Sequence, residues 1–293
     1  MIDGITSVIQ NSHFLLYADD LKIYRPISSL SDSALLQDDL NRVQQWLSLN
    51  KLAFCPQKCE LVRYCRRRSV IPSSYTIDNV TLAIVEVKKD LGVTFVNTLK
   101  FKTHIDNIVN TSFRTLAFVM RTLRPISDPD PYLLLFKSLI LSKLHYASVV
   151  WMPNTQKRKQ LLESVQASFC RRLFFKLNGF YPAYPEPISY ADLREQLCLL
   201  SVESQHEVIS LLTLHRVLNN RIDSPDLVSS IHFRVPSNRT RCLNPLGLFS
   251  IPSHQYVGIS PLYKMLLTHD KYHNEIDISS PINTFRNQWR SVV

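Results

Sequence analysis

The chain has 293 residues, of which 45% are apolar and 20% charged, enough to bury a sizeable core, so disorder throughout is excluded. Its 5 glycines lie too far apart to build a phosphate-cradling loop, and its 16 prolines favour helices with proline-marked connections. The 34 basic against 24 acidic residues give a net charge of +10, which points to a polyanionic partner such as nucleic acid.

Six cysteines, at 55, 59, 65, 170, 198 and 242, form no Cys-x-x-Cys pair, and residues 1–6 do not read as a secretory leader. Reduced thiols in an intracellular protein are the expectation, with nucleus and cytoplasm left open. The most apolar stretch, Tyr132 to Trp151, is broken by Lys137, Lys143 and His145. It reads as a core helix, and no membrane partner is expected.

In chain order, the run Ser12-His-Phe-Leu-Leu-Tyr17 and the alternating Leu21-Lys-Ile-Tyr-Arg25 flank Ala18, Asp19 and Asp20, the pattern of a β-hairpin with an acidic turn. Leu36, Leu40, Val43 and Leu47 then recur at helical spacing. Ser31 or Ser33 is the expected N-cap and Asn50 the stop, with the apolar stripe laid on the back of the hairpin. From Lys58 to Val96 short strands are expected at 60–65, 75–77, 81–85 and 91–95. Beyond Phe101 an amphipathic helix runs to near Pro125, a second from Asp128-Pro-Asp-Pro through Val150, and a third to Phe175. A Pro/Tyr-rich linker from Gly179 to Pro187 precedes a helical segment at about 190–222 and a Ser/Pro-rich tail with little signal.

Two carboxylates at a hairpin tip are what two-metal phosphoryl transfer needs. A turn lets adjacent aspartates approach one locus, although an extended backbone would point them apart. Taken alone, Asp-Asp is more often an ordinary solvated turn. Its surroundings change that reading. Phe14-Leu-Leu-Tyr-Ala-Asp-Asp-Leu-Lys-Ile-Tyr24 resembles the palm motif of reverse transcriptases, in the version of non-LTR (jockey-like) retrotransposons. The resemblance continues in order through Leu36 to Trp46, the Lys58-Cys59 segment, Lys89-Asp-Leu-Gly-Val93 with Leu99 to His104, Tyr146 to Pro153, and Leu162-Glu-Ser-Val-Gln166. It covers about residues 1–175.

The resemblance implies an α+β fold. Residues 1–98 form a partial palm, a small antiparallel sheet with a backing helix, and include the primer-grip region. Residues 99–178 form a helical thumb, and 179–293 a mostly helical C-terminal region and tail. It implies an RNA-directed DNA polymerase using Mg²⁺ or Mn²⁺, with RNA template, DNA primer and deoxynucleotides as partners. Asp19 would be the principal metal ligand and Asp20 the second carboxylate. Tyr17 and Ala18 would lie beneath the primer end, and Leu91, Gly92 and Val93 would position the primer backbone. Lys58 would protonate the departing pyrophosphate, unless it is simply a solvated lysine. Arg63, Arg66, Arg67 and Arg68, with Lys157 to Lys159 and Arg171, Arg172 and Lys176, suit either phosphate contacts or a solvated face. Tyr24, Tyr64 and Phe54 are stacking candidates, with burial the commoner fate.

The family's site also needs a third aspartate on a strand before the hairpin, together with a nucleotide-binding segment, and neither is expected in the residues before Ser12. The chain is therefore expected to be inactive alone, a fragment of the polymerase. The alternative is a non-catalytic nucleic-acid-binding remnant of such an element.

Overall fold

A computed structural model describes residues 2–65, 71–181, 188–231 and 260–292. The chain divides into two compact units, Met1–Phe101 and Lys102–Val293. The fold is mixed: among the described residues every strand lies in the first unit, and the second is helical.

In the first unit a 3₁₀ turn, Ile2–Val8, leads into β1 (His13–Tyr17) and β2 (Asp20–Tyr24). These pair antiparallel with Leu16 opposite Leu21 and Tyr17 opposite Asp20. The period-2 alternation sends Leu16, Leu21 and Ile23 to one face, where they pack with Ile5, Ile9, Val43 and Leu47. Val43 and Leu47 come from α1 (Leu30–Leu49), so the helix backs the hairpin as its apolar spacing predicts. Its N-cap is Ser29, earlier in the chain than Ser31 or Ser33. The Ser29 hydroxyl accepts the Asp32 N–H, and the Asp32 carboxylate accepts the Ser29 N–H, a reciprocal capping box. Leu36 and Leu40 cover a second cluster with Tyr75, Ile77 and Leu82.

The remaining strands are β3 (Glu60–Val62), β4 (Thr76–Ile77), β5 (Val80–Thr81), β6 (Ala83–Val85), β7 (Val87–Asp90) and β8 (Val93–Val96). They do not extend the hairpin into one antiparallel sheet. Among the described residues the unit holds four separate two-stranded ladders, and β3 pairs with β6 in parallel. The cause is local: tight turns consume the chain between strands. Asp78 and Asn79 both have positive φ between β4 and β5. The strand expected at 91–95 is likewise divided. Leu91 and Gly92 have φ of 43° and 83°, the sign pattern of a type I′ turn, and form the two-residue loop of a β7–β8 hairpin.

The second unit opens with α2 (Lys102–Thr122), whose buried stripe includes Ile105, Val109, Leu116 and Val119. The long helix expected from residue 128 to 150 is interrupted. It consists of α3 (Asp130–Leu135), a π-helical turn at Phe136–Leu141, α4 (Ser142–His145) and α5 (Ser148–Trp151). Ala147 sits at φ 50°, which breaks the helix, and the Trp151 indole N–H donates to the Tyr146 carbonyl at 2.8 Å across the break. Phe136 stacks on Phe169 of α6 (Gln156–Asn178) with centroids 3.8 Å apart.

After α6 come α7 (Tyr190–Gln196), α8 (Val202–Leu218), α9 (Pro225–Ser229), α10 (Pro261–Tyr272) and α11 (Ile282–Val292). The part of the expected linker from 182 to 187 lies outside the described residues. Two side chains of the Leu162–Gln166 motif tie α6 to α7 and to the start of α8. Glu163 accepts the Tyr190 hydroxyl and the Val202 N–H, and Gln166 donates to the Leu200 carbonyl. The tail that carried little sequence signal joins α8 in a core, where Leu211 and Leu214 of α8 are buried with Met265, Phe285 and Trp289. No helix among the described residues is long and apolar enough to cross a membrane.

Candidate functional site

The turn of the first hairpin is Tyr17-Ala18-Asp19-Asp20. Tyr17 and Asp20 form the last cross-strand pair, so Ala18 and Asp19 are the two loop residues. Ala18 has φ 53°, the sign a type II′ turn requires at its first loop position. Strand alternation places Tyr17, Asp20 and Lys22 on the face opposite the core, and Tyr17 is 63% exposed there. Asp19 and Asp20 are exposed too, and neither carboxylate is engaged in a hydrogen bond or ion pair with any described residue. The hairpin tip thus presents four acceptor oxygens that no described residue engages.

A distant pair of charges brings a second predicted segment to this face. The Lys22 ammonium, two residues beyond Asp20, bonds the Asp90 carboxylate at 2.7 Å. Asp90 immediately precedes the Leu91–Gly92 turn, so the ion pair holds that turn against the outer face of the first hairpin. Tyr64 stands beside it: burial, then the Asp90 charge, raise its phenol above the ordinary range. Sequence reasoning assigned no role to Lys22 or Asp90. The i, i+2 relation of Asp20 and Lys22 was the only available signal, and it does not name the partner.

The approach to the hairpin is held by Asp39, fully buried on α1. Its carboxylate accepts the backbone N–H of Gln10 at 3.1 Å and of Asn11 at 2.9 Å, and the Arg42 guanidinium at 2.8 Å. Burial pushes this carboxyl up, but the Gln10 N–H, the Ser12 hydroxyl, the Asn11 N–H and Arg42 together bring it below the ordinary carboxylate range. Asp39 is a positioning residue that sequence spacing did not single out.

Other predicted residues fall into place unevenly. Leu91 and Gly92 are exposed in their turn, whereas Val93 is buried in β8. Lys58 ends a 3₁₀ turn, Pro56–Lys58, and is exposed, with its ammonium bonded to no described residue and no link to Asp19 or Asp20. Arg63 spends part of its guanidinium on the Ser73 carbonyl. Arg66, Arg67 and Arg68 lie outside the described residues. Phe54 is partly buried and packs against both clusters around α1. Tyr24 is 48% exposed and stacks on His13, and Tyr64 is 52% exposed. In the second unit Lys159 pairs with Glu203 and Lys176 bonds the Arg124 carbonyl, while Arg171 and Arg172 are exposed on α6.

The hairpin carboxylates fit a hard divalent cation in one respect. Mg²⁺ is typically held by one or two carboxylates plus water and substrate phosphates, and two adjacent, uncommitted carboxylates match that habit. Among the described residues no group of three or more His, Cys, Asp or Glu side chains is placed to hold a metal.

No family model matches the chain, and no solved structure matches it. It is similar to an uncharacterized protein of Caenorhabditis elegans, with 23% identity over 129 residues, or 44% of this chain. The match spans 62% of that protein's length.

Proposed function

We propose that this chain is a piece of an RNA-directed DNA polymerase of the non-LTR retrotransposon type. In this reading Met1–Phe101 contains the hairpin half of a palm and Lys102–Val293 begins with a thumb. The observation that carries it is the Tyr17–Asp20 turn, which sits on a helix-backed antiparallel hairpin with both carboxylates exposed and uncommitted. Asp19 and Asp20 would hold Mg²⁺ or Mn²⁺, which in the complete site stabilises the attacking and leaving oxygens of nucleotidyl transfer. Tyr17 and Ala18 form the floor on which a primer end would rest. Their positions at the tip leave that face open, and the small Ala18 side chain leaves room for a nucleotide. The Lys22–Asp90 pair supports a role for Leu91 and Gly92 in guiding the primer backbone, because it fixes their turn on the same face. Lys58 and Arg63 remain candidates for phosphate contacts.

The alternative is a non-catalytic nucleic-acid-binding remnant of such an element. No third carboxylate joins Asp19 and Asp20 among the described residues. Two carboxylates hold a metal weakly and leave the attacking hydroxyl unactivated, so the chain alone is expected to bind primer–template without extending it. The test is fluorescence anisotropy with an RNA-template/DNA-primer duplex. Affinity should fall about tenfold or more between about 50 and about 200 mM salt as counterion release is suppressed. Extension assays with deoxynucleotides and Mg²⁺ should give no product. Binding that is absent, or insensitive to salt, contradicts the nucleic-acid reading, and extension contradicts the predicted inactivity.

A further inference from the structure

The second unit holds a cleft of about 370 Å³ between the 152–154 segment, α6, α8 and α10. That volume lies within the range of small-molecule sites. Its walls are partly apolar, from Met152, Leu162 and Leu267, and its ionisable groups are Lys159, Lys264, Glu203, His206 and Glu207. The charges are not evenly matched. Glu203 bonds Lys159 at 2.5 Å. Glu207, on the cleft wall, is bonded by two groups that do not line it, Lys271 at 2.9 Å and the Tyr272 hydroxyl at 2.7 Å. Lys264, half-buried, has only the neutral Met152 carbonyl as a described partner, at 2.5 Å. An ammonium carries three donors, so two of Lys264's have no partner among the described residues.

We infer that this cleft binds a small organic anion, a carboxylate or phosphate monoester with an apolar body, whose head group is held by Lys264 and Lys159. The body would lie on Met152, Leu162 and Leu267. A half-buried cation with no counter-charge among the described residues is partly desolvated, and an incoming anion offsets that cost while adding charge-assisted hydrogen bonds to the ammonium. The electrostatics agree. Burial first, and then the nearby Lys159, lower the Lys264 ammonium to about 8, so the cleft already disfavours its uncompensated charge. His206 adds no cation near neutrality. Burial brings it to about 4, against the upward pull of the Leu144 carbonyl and Glu203. This site lies in the second unit and stands independently of the polymerase reading.

Isothermal titration of the full chain with benzoate, phenyl phosphate and inorganic phosphate tests it. One saturable site is expected for at least one of the two aryl ligands, tighter than for inorganic phosphate. Whichever aryl ligand binds better identifies the head group. Lys264→Met should weaken binding about tenfold or more, as loss of a charge-assisted hydrogen bond does, while Lys264→Arg and the control Lys143→Met retain it. Methionine fills the same space and removes a buried charge, so Lys264→Met should unfold at the same or higher urea. Benzoate stays ionised above neutrality, and its affinity should decline as pH rises past 8, where Lys264 loses its proton. The inference is overturned if neither aryl ligand saturates at millimolar concentration, if Lys264→Met binds like the parent chain, or if benzoate affinity is flat across about pH 7 to 9.

Discussion

The Asp39 carboxylate is fully buried yet ionised, because two backbone N–H groups and Arg42 converge on it. Asp39→Ala would leave those donors and a guanidinium unmatched, at a cost of about 2–4 kcal/mol in urea unfolding, whereas Asp38→Ala at an exposed position should stay within about 0.5 kcal/mol. The pH dependence has a fixed sign. The folded pKa lies below the ordinary 3.8, so Asp39's contribution is complete above that value and is lost as pH falls through the folded pKa. Three histidines act earlier in the same direction, one of them His269, lowered by burial and then by His273. Burial, reinforced at His145 by the neighbouring His206, lowers His145 to about 3 and His206 to about 4, from an ordinary 6.5. The unfolded chain therefore takes up protons first, and stability should decline from about pH 6.5 down to about pH 3. His145→Leu should flatten that decline in a series of urea midpoints against pH, and an unchanged slope would contradict the assignment. Leu91 at φ 43° is a third residue-scale case, since a leucine is strained where an Asn-Gly pair is ideal. Leu91→Asn should raise stability by about 1 kcal/mol.

At the scale of elements, the hairpin, α1, α2 and α6 were legible because long or strongly periodic segments carry their own signal. Val43 and Leu47 reach the hairpin's inner face as the spacing requires. Ser29 was missed as the cap because Ser29, Ser31 and Ser33 all fit the pattern, and only the backbone bend selects among them. Ser29→Ala should cost about 1 kcal/mol, as the loss of a side-chain cap does. The 58–96 region reads as short strands, but nothing in the sequence names their partners. Strands of two to four residues specify no partner, and the turn at Leu91 lacks the usual asparagine or aspartate at its first position. The helix through Val150 was overextended because neither the π-helical turn nor the left-handed Ala147 has a composition cue. The Lys22–Asp90 pair was invisible for a different reason: it joins residues 68 apart. Half-exposed, it should contribute under about 1 kcal/mol to stability. Its expected importance is positional. Lys22→Met should leave the urea midpoint nearly unchanged while weakening primer–template binding severalfold, and equal losses in both would make it merely structural.

For the whole molecule, the division at residues 101 and 102 separates two kinds of chemistry. The first unit offers uncommitted carboxylates on an open hairpin, and the second a helical body with a basic α6 and a mixed-charge cleft. The C-terminal core around Phe285 and Trp289 was not readable in advance, since its apolar residues are spread over three helices separated by Ser/Pro-rich sequence. A polymerase palm requires the hairpin tip to act as a cation site beside a nucleic-acid end. The most direct measurement is Mn²⁺ binding, followed by electron paramagnetic resonance in the presence of primer–template, for the parent chain and for Asp19→Asn with Asp20→Asn. Weak saturable binding that the double substitution reduces at least tenfold is the predicted result. Identical Mn²⁺ binding in the two proteins would contradict the account.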